Sequence, residues 1–426
     1  MDEAVAPWTL YSTAQRWRLL TILFVVITTS YFDCFVISVL LEPIKREFHV
    51  SDTMLGLLSG LCFSLLYAVV ALPVARWVDR GNRRTVIAVG LTAWSAMTVL
   101  CGLAVSFSQL ALARLGVGAT ESGAMPAAQS LVVDYFPAEQ RATALATLTT
   151  AAGSVGYLLA ICLGGFVTAT YGWRAAFVLI GAPGVLLALV AQLALSEPRC
   201  RLGFPRAHTR TESVWQTLAQ LRAKKSFPYM LIGLSLYALF GYGVTTFFLP
   251  SYMMRSLHAT LEQVSQTWGF SISSANVIGA VVGGRLTDRL IKRDVRWHVW
   301  LPAIACVLGG LVYWVALTIQ HFWSFLVVEF LAEAILAIGV PAAFAAVHTV
   351  CGERRRAMAV AIVYFFFTLC GAGLGPLVVG VLSDLLNTVY GVESLRYSLI
   401  AMLLILIPSA AAFYWSGRWM PHELEG

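Results

Sequence analysis

Five ionisable residues lie inside long apolar stretches of this chain: Asp33, Arg114, Glu121, Glu329 and Glu333. A charge at the middle of a bilayer costs roughly 2.5–3.5 kcal/mol on insertion scales, so each one retained there asks for a use. Arg114 and Glu121 are seven residues apart, which on a helix is about 10.5 Å and nearly two whole turns, so they share a face. Asp33, past the middle of its own stretch, reaches a similar depth. Desolvation favours a neutral acid and a nearby cation favours the carboxylate, so carboxylates moving against a guanidinium in a dry interior take up and release protons. The chemistry expected of Asp33, Arg114 and Glu121 is therefore reversible proton binding. Arg114 is also the principal cation for an anionic group of a bound molecule or for Glu121. The plainer alternative is a static ion pair that locks two helices. Glu329 and Glu333 form an i,i+4 pair with no basic residue in that stretch before Arg354. Either is protonated or faces water in a cavity, and both are candidate binding residues, as are the aromatics Tyr237, Phe240, Tyr242 and Tyr364 that could line an apolar cavity.

The elements that must hold these groups follow from composition. Hydrophobic residues make up 59% of the 426 and charged residues only 12%, against about 25% charged in an ordinary soluble domain. Stretches long enough to cross a hydrocarbon core, about 20 residues each, lie near 18–41, 54–76, 85–105, 109–133, 141–167, 174–195, 227–252, 264–288, 298–318, 323–347, 356–382 and 396–417. The first lacks a small-residue cleavage site behind it and is expected to be retained. The predicted fold is all-α and membrane-integral, with twelve transmembrane helices in two pseudo-symmetric bundles of six. Of 29 Lys and Arg residues, 23 fall on one side of this topology and five on the other, which places both termini in the cytoplasm, at the inner (plasma) membrane if the source is bacterial. The net charge of +7 is then topogenic and not a nucleic-acid signal. Eight scattered cysteines give no disulfide or metal spacing. With no Ser/His dyad, metal-ligand cluster or phosphate-binding Gly-Lys-Ser/Thr loop, neither enzymatic activity nor a cofactor is expected. A channel or scramblase fits the twin turns described next poorly.

The chain repeats itself. Asp79-Arg80-Gly81-Asn82-Arg83-Arg84 and Asp288-Arg289-Leu290-Ile291-Lys292-Arg293 stand 209 residues apart, each after a second hydrophobic stretch. Met125-Pro126 and Val340-Pro341, and Arg141-Ala142 and Arg356-Ala357, stand 215 apart. Such spacing indicates duplication of a six-helix unit: 1–195, a linker 196–226, and 227–426. Within the linker, Val214, Trp215, Leu218 and Leu221 fall at helical spacing, predicting an amphipathic helix on the membrane surface. By the 215 offset Gly156 corresponds to Gly371 and Gly165 to Gly380, so spans 5 and 11 should be equivalent, with small residues for close helix approach. The chemistry is not duplicated: Arg114 maps to Glu329 and Glu121 to Leu336, and Asp33 maps near Tyr242 by the 209 offset. Asp79, Arg80, Arg83, Arg84, Asp288 and Arg289 are expected to form a cytoplasmic gate. In it Asp79 holds a helix start near Arg354-Arg355-Arg356 only while the inner side is closed.

The twin Asp-Arg turns, Arg114 four residues before Gly118, and Pro137-Ala138-Glu139-Gln140-Arg141 resemble the major facilitator superfamily over the whole chain. Several details resemble its spinster-like branch: Asn82, the Arg114-to-Glu121 spacing, Tyr171-Gly172-Trp173-Arg174, Leu249-Pro250-Ser251-Tyr252, and Gly375-Pro376 through Ser383-Asp384. The resemblance implies a monomeric, proton-linked secondary transporter for a small amphipathic molecule, lysolipid- or sphingolipid-like, working by alternating access among membrane lipids. Asp33, Arg114 and Glu121 match the positions that carry coupling and headgroup recognition. Relatives follow the first Asp with Arg where this chain has Cys34, which removes one positive charge from a phosphate site. The Gly-rich span 5 loosely resembles drug antiporters and favours export. A carrier of organic or aromatic acids, or a multidrug exporter, remains the alternative.

Overall fold

A helix start in an apolar medium leaves backbone N–H groups without acceptors, so the residue before it must supply one. Ser51, Asn82 and Ser106 each accept from a backbone N–H three residues on, and Thr260 forms a capping box with Gln263. In the computed structural model, residues 7–198 and 220–423 are described, and helix is the only regular secondary structure among them. The helices make twelve passes: α1 Thr13–Phe48, α2 52–80 with a break at Gly60, α3 Arg83–Leu103, α4 107–135, α5 138–171, α6 Trp173–Ala194, α7 Ser226–Ser256, α8 261–290, α9 Trp297–Thr318, α10 Phe322–Cys351, α11 358–390 and α12 394–419. Helical hydrogen bonding continues from α10 into α11, yet the ring of Phe344 lies 5.3 Å from that of Tyr364. Twenty residues of straight helix would separate them by about 30 Å, so the chain reverses there and the two are separate passes.

Nine stretches of the described residues are by themselves long and apolar enough to cross a membrane. One of these spans α11 and α12 together. The two passes outside that set each carry several polar residues, among them Arg114 and Glu121 in α4, and Ser271, Ser273, Ser274 and Asn276 in α8.

The chain divides into two compact units, Met1–Phe48 with Cys62–Thr209, and His49–Leu61 with Arg210–Gly426. Most of the linker, including all but the last turn of the expected surface helix, lies outside the described residues; Leu221, within them, is helical and buried. The partition departs from the sequence boundaries at His49–Leu61, the first turns of α2, which pack with the second unit. There the Asp384 carboxylate accepts the backbone N–H groups of Asp52 and Thr53 at 3.0 and 2.8 Å, and Arg255 holds the Asp52 carboxylate through two hydrogen bonds of 2.7 and 2.8 Å. An acid at a helix N-terminus is favoured by the helix dipole, which is why this helix start belongs to α11 and α7 in packing though not in sequence.

The duplication is visible in the packing inside each unit. In the first, α1 packs on α5, and α3 on both α4 and α6; in the second, α7 packs on α11, and α9 on both α10 and α12. The glycine pair predicted to be equivalent is so placed. A Cβ added at Gly156 would come within 2.6 Å of the Tyr31 side chain on α1, and one at Gly371 within 2.8 Å of Ala238 and Tyr242 on α7. Each glycine lets two backbones approach where a side chain would hold them apart. Gly156→Val is expected to lower the thermal unfolding midpoint, consistent with a cost of roughly 1–3 kcal/mol for overfilling a packed site. Gly284→Ala, where nothing lies within 4 Å of the added carbon, is expected to leave it unchanged. Equal midpoints for the two variants would count against the close α1–α5 approach.

Candidate functional site

In the first unit the three predicted groups come together, with a division of partners that spacing alone did not show. Ser30 and Asp33 share one face of α1, three residues apart, and α4 presents Arg114 and Glu121. Arg114 Nη1 lies 3.4 Å from Asp33 Oδ1 and 3.3 Å from the Asp33 main-chain oxygen. Glu121 pairs with α1 differently, accepting a hydrogen bond from the Ser30 hydroxyl. Thr98 of α3 donates to Asp33 Oδ2. Arg114 is wholly buried, Asp33 is 1% and Glu121 5% exposed, so none is solvated by bulk water. The approach of α4 is set by Gly118, whose missing side chain lets it lie on the Phe63 backbone; the same contact brings the Phe63 ring 5.4 Å from the Arg114 guanidinium.

Arg114 is incompletely used. Its ion pair is long for a charge-assisted hydrogen bond, which is commonly about 2.7–2.9 Å. Its Nε and Nη2 are buried with no partner among the described residues, as is Glu121 Oε2. A guanidinium carries five donors in a planar fork, and the unpartnered edge of this one matches a carboxylate or a phosphate oxygen pair. Cys34, beside Asp33, is half-buried and free. Thr98 and Ser30 escaped the sequence analysis because a hydroxyl in an apolar stretch carries no periodic signal.

In the second unit Glu329 and Glu333 are buried together with Tyr313, Trp268 and Asn276. Trp268 Nε1 donates to Glu329 Oε1 at 3.3 Å and Asn276 Nδ2 to Glu333 Oε1 at 3.1 Å, while Tyr313 Oη lies 3.2 Å from both glutamates. The four aromatics proposed to line a cavity are placed differently from one another. Phe240 is fully buried, edge-on to Tyr313 at 5.5 Å; Tyr237 borders an apolar void of about 10 Å³ with Leu234, Pro302 and Phe413. Tyr242 packs edge-on to Phe367 at 5.9 Å, and Tyr364 is 51% exposed.

The residues expected to gate the helix ends also separate. The Asp79 and Arg80 side chains and those of Arg354, Arg355 and Arg356 lie outside the described set, so the expected Asp79 contact does too. Asp288 and Arg289 are exposed. Arg83 is occupied inside its own unit: it is fully buried, with Nη2 at 2.5 Å from Glu197 and 2.6 Å from Asp134, Nη1 bonded to Ser130, and its backbone N–H donating to Glu197 at 2.7 Å. Arg84 reaches the Leu195 carbonyl at 3.4 Å. Arg83 thus ties the start of α3 to α4 and to the segment after α6, through Glu197, a residue that the sequence analysis did not single out.

Removing one member of a buried ion pair costs about 3–5 kcal/mol, because the other is left uncompensated. Glu197→Leu is therefore expected to lower the unfolding midpoint markedly. Arg83→Met combined with Glu197→Leu should be less destabilising than the two single losses summed. Thermal unfolding of the four proteins checks this, and strictly additive losses would rule out the coupling.

Comparison with known proteins places this geometry in a family. The Major Facilitator Superfamily model matches residues 23–319 and 252–422. The chain is similar to an MFS-type efflux pump of Mycolicibacterium smegmatis, 34% identical over 418 residues that cover 96% of this chain and 95% of that one. It is 26% identical to protein spinster homolog 1 of Xenopus tropicalis over 385 residues, 85% of this chain and 72% of that protein. Among solved structures, a bacterial homologue of the human lysosomal transporter spinster, in an inward-facing and unoccupied conformation, superposes with a TM-score of 0.88 at 27% identity, covering 98% of this chain and 100% of that one. The chain belongs to the Major Facilitator Superfamily of membrane transporters.

Proposed function

We propose that this protein is a proton-coupled secondary transporter that moves an amphipathic, lipid-like molecule, a lysolipid or sphingolipid-like compound, outward by alternating access. The observation that carries the reading is the buried Arg114, whose Nε and Nη2 have no partner among the described residues and whose unit also holds Glu121 Oε2, likewise without one. One guanidinium stands against two carboxylates, so a proton on either acid leaves the group neutral, and a second proton releases the cation for an anionic headgroup. Protonation and substrate binding are then linked through one electrostatic balance, which is what coupling requires. Asp33, held by Thr98 as well as Arg114, and Glu121, held by Ser30, are the proton carriers in this scheme.

Export is supported by the similarity to an efflux pump over nearly the whole length, and an amphipathic cargo by the likeness to spinster proteins. The distribution of Lys and Arg supports both termini in the cytoplasm, and the protein is taken to work as a monomer. The free edge of Arg114 also fits a simple carboxylate, so a carrier of organic or aromatic acids is the second reading. Counterflow assays with lysolipids and with aromatic acids separate the two.

In proteoliposomes with an imposed pH gradient, Asp33→Asn and Glu121→Gln are each expected to abolish uphill accumulation, while exchange without a gradient survives in at least one of them. Full pH-dependent accumulation by both would overturn the coupling reading. Arg114→Lys is expected to weaken substrate binding roughly tenfold or more, the equivalent of about 1.4 kcal/mol, because an ammonium does not reproduce the planar fork. Binding measured by titration calorimetry at unchanged affinity would remove Arg114 from the substrate site.

A further inference from the structure

Glu329 and Glu333 stand one turn apart on α10, Glu329 fully buried and Glu333 6% exposed. The side chains facing them are Tyr313 from α9, Trp268 and Asn276 from the start and middle of α8, and Tyr237 from α7. None carries a positive charge, and among the described residues no Lys, Arg or His forms an ion pair with either glutamate. Two carboxylates ionised here would be a pair of unpaired like charges in a medium of low dielectric, a cost that folded proteins avoid by neutralising the group.

The hydrogen count points the same way. Tyr313 Oη lies 3.2 Å from Glu329 Oε1 and 3.2 Å from Glu333 Oε2, yet a phenol has one hydrogen to give. If both acids were ionised, two anionic oxygens would share that hydrogen. If one acid carries a proton, it donates to the phenolic oxygen while the phenol donates to the other acid, and both contacts become ordinary hydrogen bonds. Glu329 Oε2 is buried with no partner among the described residues, a position far less costly for a neutral carboxyl than for a carboxylate. The site also has a lineage in the repeat: the 215-residue offset carries Thr98 to Tyr313 and Arg114 to Glu329, so the hydroxyl and the charged position of the first unit reappear in the second with the cation replaced by an acid.

We propose that Glu329 and Glu333 hold one proton between them through Tyr313, forming a protonation site in the second unit that is chemically separate from Asp33, Arg114 and Glu121. Its use in transport rests on the proton-coupled reading above; its existence does not. Infrared spectra of the purified full-length protein in lipid nanodiscs, recorded from acidic to alkaline pH in H₂O and D₂O, report protonated carboxyls through a deuterium-sensitive C=O band. A component present in the wild type at neutral pH is expected to vanish in Glu329→Gln or Glu333→Gln and to move in frequency in Tyr313→Phe. The Gln variants, isosteric with the neutral acid, are expected to keep the wild-type unfolding midpoint. The same component should persist in Asp33→Asn and Glu121→Gln, so failure of the coupling reading would leave it in place. Spectra of Glu329→Gln and Glu333→Gln that match the wild type at every pH would overturn the proposal.

Discussion

The first unit is arranged around a guanidinium kept out of water. Arg114 has no solvent to fall back on, and insertion of such a charge is costly unless a counter-charge and hydrogen-bond acceptors are brought to it. That demand explains why α1 carries Asp33 at this depth, why Thr98 on α3 supports the carboxylate from the other side, and why Gly118 removes a side chain so that α4 can approach Phe63. The helices that meet here do so because they supply these groups. The pairing is nonetheless incomplete, with two donor nitrogens of Arg114 and one oxygen of Glu121 unsatisfied among the described residues. A purely structural pair would gain by closing those bonds, since an unsatisfied buried polar group costs about 1–3 kcal/mol.

Duplication conserved the scaffold and released the chemistry. Equivalent passes pack alike in the two units, and glycines 215 residues apart admit equivalent close approaches. At the equivalent polar positions the residues diverge from a cation with acids around it to two acids around a phenol. The backbone geometry of a helix pair depends on small residues at a few contacts, whereas the charge held between the pair depends on single side chains. One can therefore change while the other stays fixed.

The ends of the helices obey a different balance. Arg83, part of a turn that looks solvent-facing in the sequence, is buried and saturated by Glu197, Asp134 and Ser130. Asp52, at the start of α2, is drawn to Arg255 and to the segment around Asp384. At α3 the backbone N–H of the helix start and a guanidinium share the one Glu197 carboxylate; at α2 two acids divide the task, Asp384 taking the backbone N–H groups and Asp52 the Arg255 guanidinium.

The sequence by itself determined the class of fold, the number of passes, the duplication and the identity of the buried charges. Each of these rests on a one-dimensional signal: apolar length against bilayer thickness, residue offsets, and the rarity of charge in an apolar run. That Arg114 and Glu121 share a face followed from helical periodicity, since it compares residues on one element. Their partners did not follow. Arg114 pairs with Asp33 and Glu121 with Ser30, across helices whose rotation and depth are set by packing; Thr98, Tyr313 and Trp268 are marked only by what they touch. The same holds for Phe240, expected at a cavity and found enclosed against Tyr313, and for Arg83, assigned to a gate and found bound within its own unit. Sequence spacing fixes neighbours along a helix, but which atom of one helix meets which atom of another is decided by close packing, where a single glycine can shift the contact by the width of a side chain.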